Sequence, residues 1–254
     1  MRRIGSAAMS VLTVSGIVTR FTNYKENDRI LTILTPGSGR IDCKARGCRK
    51  PTSPLLPCAE SFVYGDFELY ASGGKNVLNA CTVRESFFPI RQDIVRFAAG
   101  TSMLQLCAET AQENEECEAL FLLLYHALSF LSYGKADPKD LFCCFLIRFL
   151  DLAGFRPSIT SCAGCGKDVR GEKRLSFSSE RGGTLCSDCS DGHGKVTVLT
   201  LEAMRRMLVM PLEDMDRVKL PGELGSDVLR LLCDYTCHML ECGPKALSFL
   251  LNLA

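Results

Sequence analysis

Alternation of apolar and polar positions dominates the first third of the chain. Residues 11–22 (VLTVSGIVTRFT) are rich in β-branched side chains and alternate in part, which predicts a strand. Residues 28–35 (DRILTILT) set Ile30, Thr32 and Leu34 against Leu31, Ile33 and Thr35 and predict a second. The run Pro36-Gly-Ser-Gly39 is a turn signal, and residues 40–45 continue as a third strand. A basic, Pro-rich connection covers 46–57. A fourth strand is expected over 61–71, a turn over 72–75 and a fifth strand over 77–87. Five strands with short connections fit a small closed barrel of the OB-fold type.

The period changes after Gln92. Residues 92–109 place Ile94, Val95, Ala98, Ala99, Leu104 and Leu106 at three-to-four spacing, which predicts a helix. Residues 114–131 predict one long helix with Glu113, Glu115, Glu116 and Glu118 at or near its positive end. Pro138 opens a helix through Leu152 that Gly154 ends. Further helices are expected over 200–210, stopped by Pro211, over 224–240, closed by Gly243-Pro244, and over 245–253. The expected architecture is α+β and multidomain, with a five-stranded barrel over 1–91 and a helical domain over 92–254.

Charge sharpens that division. The whole chain of 254 residues carries a formal net charge of only +1. Residues 1–91 hold 13 basic and 7 acidic groups, a net +6, and the remaining 17 basic and 22 acidic groups leave −5. Such asymmetry points to two modules with different partners. Within the basic module, Arg40, Lys44, Arg46, Arg49 and Lys50 fall in eleven residues. On a barrel wall they form an expected phosphate groove, with Phe21, Tyr24, Tyr64 and Tyr70 as stacking candidates or barrel core.

Cysteine is abundant, at 15 residues, and Trp is absent. Arg2 and Arg3 precede a stretch too short and polar for a signal-peptide core. The apolar runs 119–131 and 141–152 fall short of the roughly 18 residues that a membrane span needs. A cytoplasmic protein is therefore expected, with most thiols reduced and buried. Cys143 and Cys144 are expected in the core. Cys233 and Cys237 share a helix face with His238 and Cys242 nearby, and core packing is preferred there to a second metal site.

Four cysteines stand apart. Cys162-Ala-Gly-Cys165 and Cys186-Ser-Asp-Cys189 are separated by 20 residues. Paired Cys-x2-Cys knuckles at this spacing are a zinc-ribbon signature, and Gly164 and Gly166 permit the first tight turn. A redox dithiol would need only one such pair. Four thiolates leave no open coordination position, so one structural zinc ion is expected, in a finger over 159–195 whose hairpin uses 173–177 and 181–185. His193 is a conceivable substitute ligand. No HExxH or Walker-type phosphate loop is present. His126 sits in an apolar run and is expected to be a core residue. Nothing pairs a nucleophile with a base, which fits a binding protein better than an enzyme.

Several stretches resemble the RecO DNA-repair proteins. They are Gly16-Ile-Val-Thr-Arg20, the run from Tyr24 through Asp28-Arg29 to Thr32, Gly39-Arg-Ile41 leading to Lys44-Ala-Arg46-Gly47-Cys48-Arg49-Lys50, Gly154-Phe155-Arg156-Pro157, and Phe177-Ser-Ser179. The resemblance spans nearly the whole chain in the family's order. One departure is Pro54, where the family often places an arginine after Ser53. The resemblance implies an OB-fold, a helical domain and an inserted finger. It also implies a recombination mediator that binds single- and double-stranded DNA and anneals complementary strands; a monomer is expected. Such a protein works with RecR to load RecA onto DNA coated by single-strand-binding protein, and RecF is a further implied partner; no membrane is involved. On that basis Arg20 and Arg29 join Arg40, Lys44, Arg46, Arg49 and Lys50 as expected DNA contacts. An RNA- or tRNA-handling protein with a barrel and ribbon, and a protein-interaction scaffold, are the alternatives.

Overall fold

The β-branched, alternating stretch from Val11 to Glu85 forms five strands, and in the computed structural model they close on one another. Residues 11–72, 75–190, 192, 194–241 and 245–252 are described. Arg2, Arg3, Gly73, Gly74, His193, Cys242, Gly243, Pro244 and Leu253, each part of an expectation above, lie outside the described residues. The described residues divide into two packed units. One is the stretch up to residue 87 with 107–121, and the other is 88–106 with the residues from 122 on.

The first unit is the OB-fold barrel. Its strands are β1 (Val11–Tyr24), β2 (Asp28–Thr35), β3 (Gly39–Ala45), β4 (Tyr64–Ser72) and β5 (Lys75–Glu85), closed in the order β1-β2-β3-β5-β4. All pairs are antiparallel except β3 with β5, which run parallel with Cys43 opposite Asn76 and Lys44 opposite Val77. Each strand thus has a neighbour on both sides, although β3 and β5 share only two residue pairs. Burial in β3 alternates strictly, so Ile41, Cys43 and Ala45 face the core while Arg40, Asp42 and Lys44 do not. Val18, Leu31, Ile33, Phe67, Leu69 and Leu78 fill the interior. Cys43, Cys48 and Cys58, unconnected in sequence, all join this core, and burial pushes the Cys43 thiol up to about 12.

Two strand starts and ends differ from the sequence pattern for backbone reasons. Phe62 and Phe87 have left-handed φ values of 73° and 48°, so the fourth strand begins at Tyr64 and the fifth ends at Glu85. The expected helix over 114–131 starts only at Glu118. Residues 112–117 lie instead against the β2–β3 turn, where Arg40 N donates to Gln112 O, Asn114 N to Ser38 O and Cys117 N to Pro36 O. Asn114, at φ 62°, turns the chain there. Thus of the four glutamates only Glu118 occupies a first helical turn.

The second unit is helical. Its helices draw on α1 (Ile94–Thr110), α2 (Glu118–Tyr133), α3 (Pro138–Leu152), α4 (Val198–Val209), α5 (Glu223–Met239) and α6 (Lys245–Asn252). Asp137 caps α3 by accepting from the amides of Lys139 and Asp140, with Pro138 in the first turn. Helix α3 is its most buried element, from Leu141 to Leu150 except Arg148, and includes Cys143 and Cys144. Cys233 is buried, whereas Cys237 is exposed rather than core. His126 is half-buried between the rings of Tyr125 and Phe130, each 6.0 Å away, and not a core residue. No helix among the described residues is long and apolar enough to cross a membrane.

The finger is inserted between α3 and α4. It consists of β6 (Leu175–Ser178), β7 (Gly183–Leu185) and β8 (Gly194–Val196) in the order β7-β6-β8. The third strand has only three residues, too few to show a period. Phe177 meets Tyr235 of α5 edge-on at 5.6 Å, and Arg205 of α4 donates to the Ile159 carbonyl.

Candidate nucleic-acid interface and metal centre

The parallel closure of β3 on β5 brings two basic segments together. A groove of about 730 Å³ runs over this seam, and its lining includes Tyr24, Ile30, Arg40, Asp42, Lys44, Arg46, Lys75, Asn76, Glu113 and Asn114. Arg40 and Lys44 reach it because the two-residue repeat of β3 puts both on the outer face. Asn76 Nδ2 donates to the Asp42 carbonyl at 3.4 Å across the seam. Lys75 was not singled out by the sequence. Its place beside β3 is set by a strand pairing distant along the chain, and only its lone positive charge could have flagged it.

The expected DNA contacts fall into four kinds of place. Arg40, Lys44 and Arg46 line the groove. Arg49 and Lys50 are exposed on the turn beyond Gly47, and that turn is pinned to the β1–β2 turn: Arg49 N donates to Asn27 O, and Arg49 Nη1 to Glu26 O at 2.9 Å. Arg20 is exposed on β1. Arg29 is different. Its side chain is 13% exposed, pairs with Glu60 at 2.6 Å and lies over the Phe21 ring at 3.9 Å. It ties the long basic connection to the barrel wall.

Neighbouring acids temper the groove's charge. Arg40 Nη2 lies 3.2 Å from Glu113, and Lys44 Nζ lies 2.9 Å from Asp28. The Gly47 amide, first, and then Lys44 hold the Asp28 carboxyl below the usual carboxylate range. Arg46, Lys50 and Lys75 have no ion pair among the described residues, so their charge is available to a polyanion. Chemically the site is a cationic trough with an exposed tyrosine at its edge.

The finger gathers its four sulfurs. The thiols of Cys162, Cys165, Cys186 and Cys189 all lie within 4.8 Å of one another, and Cys165 Sγ is 3.8 Å from Cys186 Sγ. Sulfurs each about 2.3 Å from one tetrahedral ion would sit about 3.8 Å apart. The knuckle turns as that geometry demands. Gly166 N donates to Cys162 O, and Gly166 has φ 76°. A Cβ on Gly164 would meet Cys189 Sγ at 3.1 Å and Arg181 Nη1 at 3.2 Å. Burial alone would raise the Cys162 thiol. The amides of Cys186, Cys165 and Gly164 outweigh that and bring it down to about 6, whereas the Cys186 side chain, first, pushes the Cys189 thiol up to about 12. The donor set fits a metal ion.

An OB-fold barrel with a groove of basic residues is carried on one chain with a helical unit that holds a four-cysteine finger, and the family patterns that match it place it among the DNA repair recombination proteins. The chain belongs to the RecO family. The pattern described as Recombination protein O N terminal matches residues 9–87, and that described as Recombination protein O C terminal matches 91–247. A DNA repair protein RecO of Symbiobacterium thermophilum is 32% identical over 246 residues, covering 95% of this chain and 97% of its own. The protein of the same name from Alkaliphilus metalliredigens is 28% identical over 231 residues, 89% of this chain and 92% of its own. That of Streptomyces griseus is 38% identical over 189 residues, 71% and 75%.

Proposed function

We propose that the protein is a non-enzymatic recombination mediator of the cytoplasm. It binds single- and double-stranded DNA, anneals complementary strands, and acts with RecR, and with RecF as a further partner, to load RecA onto strands coated by single-strand-binding protein. The observation that carries this reading is the groove where Arg40, Lys44, Arg46 and Lys75 meet across the β3–β5 seam. Each phosphate these groups neutralise releases condensed counterions, and a screened strand approaches its complement with less repulsion.

In this reading residues 1–91 grip DNA, and the acidic domain over 92–254 serves protein contacts. Arg49, Lys50 and Arg20 extend the path of the strand beyond the groove, while Arg29 supports the connection that presents them. Cys162, Cys165, Cys186 and Cys189 hold one structural zinc ion, which when bound fixes the fold of the finger and performs no step of annealing.

The test is annealing of complementary strands precoated with single-strand-binding protein. The protein should accelerate duplex formation. Changing both Arg46 and Lys75 to alanine should remove most of that acceleration while leaving the fold intact. Annealing equally fast without the protein would refute the reading.

A further inference from the structure

We propose that Tyr24 is a stacking platform for an unpaired base of single-stranded DNA, so that the barrel groove grips bases as well as phosphates. The inference rests on the DNA-binding reading above and deepens it.

The surroundings of four barrel aromatics separate them. Phe21 packs against the barrel core and is covered by the Arg29 guanidinium at 3.9 Å. Tyr64 lies 6.1 Å from the Phe121 ring, with Arg84 at 5.8 Å from its own centroid. Tyr70 is half-buried and does not line the groove. Tyr24 is 43% exposed and lines the groove.

Tyr24 is also held in place. Lys44 Nζ lies 4.6 Å from its ring centroid and Lys25 Nζ 5.7 Å. Lys44 is in turn fixed by Asp28. A cation over an aromatic face is attracted to its quadrupole, so a base reaches the Tyr24 ring by displacing one of these lysines toward the phosphates that flank it. Arg46 and Lys75 line the same groove, giving the adjoining phosphates a path. In a duplex the base faces are covered by their neighbours, so an unpaired strand alone gains the tyrosine contact.

The chain contains no Trp, so Tyr24→Trp places a single indole at the site. The full-length variant is titrated with an oligothymidylate and with an abasic strand of equal length, and binding is followed separately by anisotropy of the labelled DNA. Indole emission should be quenched by the bound oligothymidylate and not by the bound abasic strand. Tyr24→Ala should weaken oligothymidylate binding by about 5- to 150-fold, the range set by one stacked base. Its affinity for the abasic strand and its salt dependence should stay as in the wild type, and Tyr24→Phe should behave as the wild type throughout. The inference fails if the indole does not respond to saturating oligothymidylate. It also fails if Tyr24→Ala weakens both strands equally, while DNA binding by the groove survives either result. Absence of wild-type binding to any strand overturns the inference and the DNA-binding reading together.

Discussion

The Gly47 amide donates a 2.8 Å hydrogen bond to Asp28 Oδ1, while Asp28 Oδ2 sits 2.9 Å from Lys44 Nζ. One carboxylate thus fixes both a groove lysine and the first turn of the basic connection. Asp28→Ala should destabilise the barrel by about 1.5–3 kcal/mol, the range for hydrogen bonds to a charged group, as read from urea unfolding. It should also lower DNA affinity by releasing Lys44 and the turn.

The same carboxylate sets a pH dependence. The Asp28 carboxyl is held low in the folded state, chiefly by the Gly47 amide and next by Lys44. Below about pH 4 the unfolded chain binds that proton first. The stabilisation is therefore fully present above about pH 4 and is lost as the pH falls through the lower folded-state value. Asp28→Ala should show a shallower acid decline in stability than the wild type. Identical acid limbs would mean that Asp28 plays no part in acid stability.

The strand β3 was legible because it alternates cleanly, and β2 because a short apolar run is bounded by turn residues. The finger was legible because ligand spacing is local. The groove was only half legible. Arg40, Lys44 and Arg46 are neighbours in sequence, but Lys75 joins them through a parallel pairing that no local pattern encodes. The resemblance set Arg29 among the expected DNA contacts, and nothing local reveals that Glu60 and the Phe21 ring cover it. The acidic run before Glu118 imitated a helix start, and its hydrogen bonds to the Pro36–Gly39 turn are tertiary.

Phosphate binding is best read from salt. Changing Arg46, Arg49 and Lys50 together to alanine should weaken binding to a single strand at every salt concentration. The slope of log affinity against log salt should flatten by roughly 0.7 for each phosphate that is no longer neutralised. An unchanged slope would remove these three residues from the interface.

Metal analysis of the purified protein should give one zinc per chain. Cys165→Ser should lower that content and expose the amides of 159–190 to hydrogen exchange, because a structural zinc site supplies on the order of 10–16 kcal/mol of local folding free energy. The barrel amides should keep their protection. Full protection of the finger after complete metal removal would contradict a structural role.

Gly39 is where β3 meets the 112–117 segment. It has φ 62°, and a Cβ there would lie 2.0 Å from the Gln112 carbonyl and 2.7 Å from that of Glu115. Gly39→Ala should therefore cost about 2–5 kcal/mol from left-handed strain and overpacking combined. Thermal unfolding measures this, and a wild-type midpoint would show that the segment is not held against the strand.

Hydrogen-exchange footprinting of the full chain with and without a single-stranded oligonucleotide tests the DNA-binding groove most directly. Protection should concentrate at residues 24–28, 39–50 and 75–77. Protection confined to residues 122–241, with the barrel unaffected at saturating DNA, would place the strand elsewhere and contradict it.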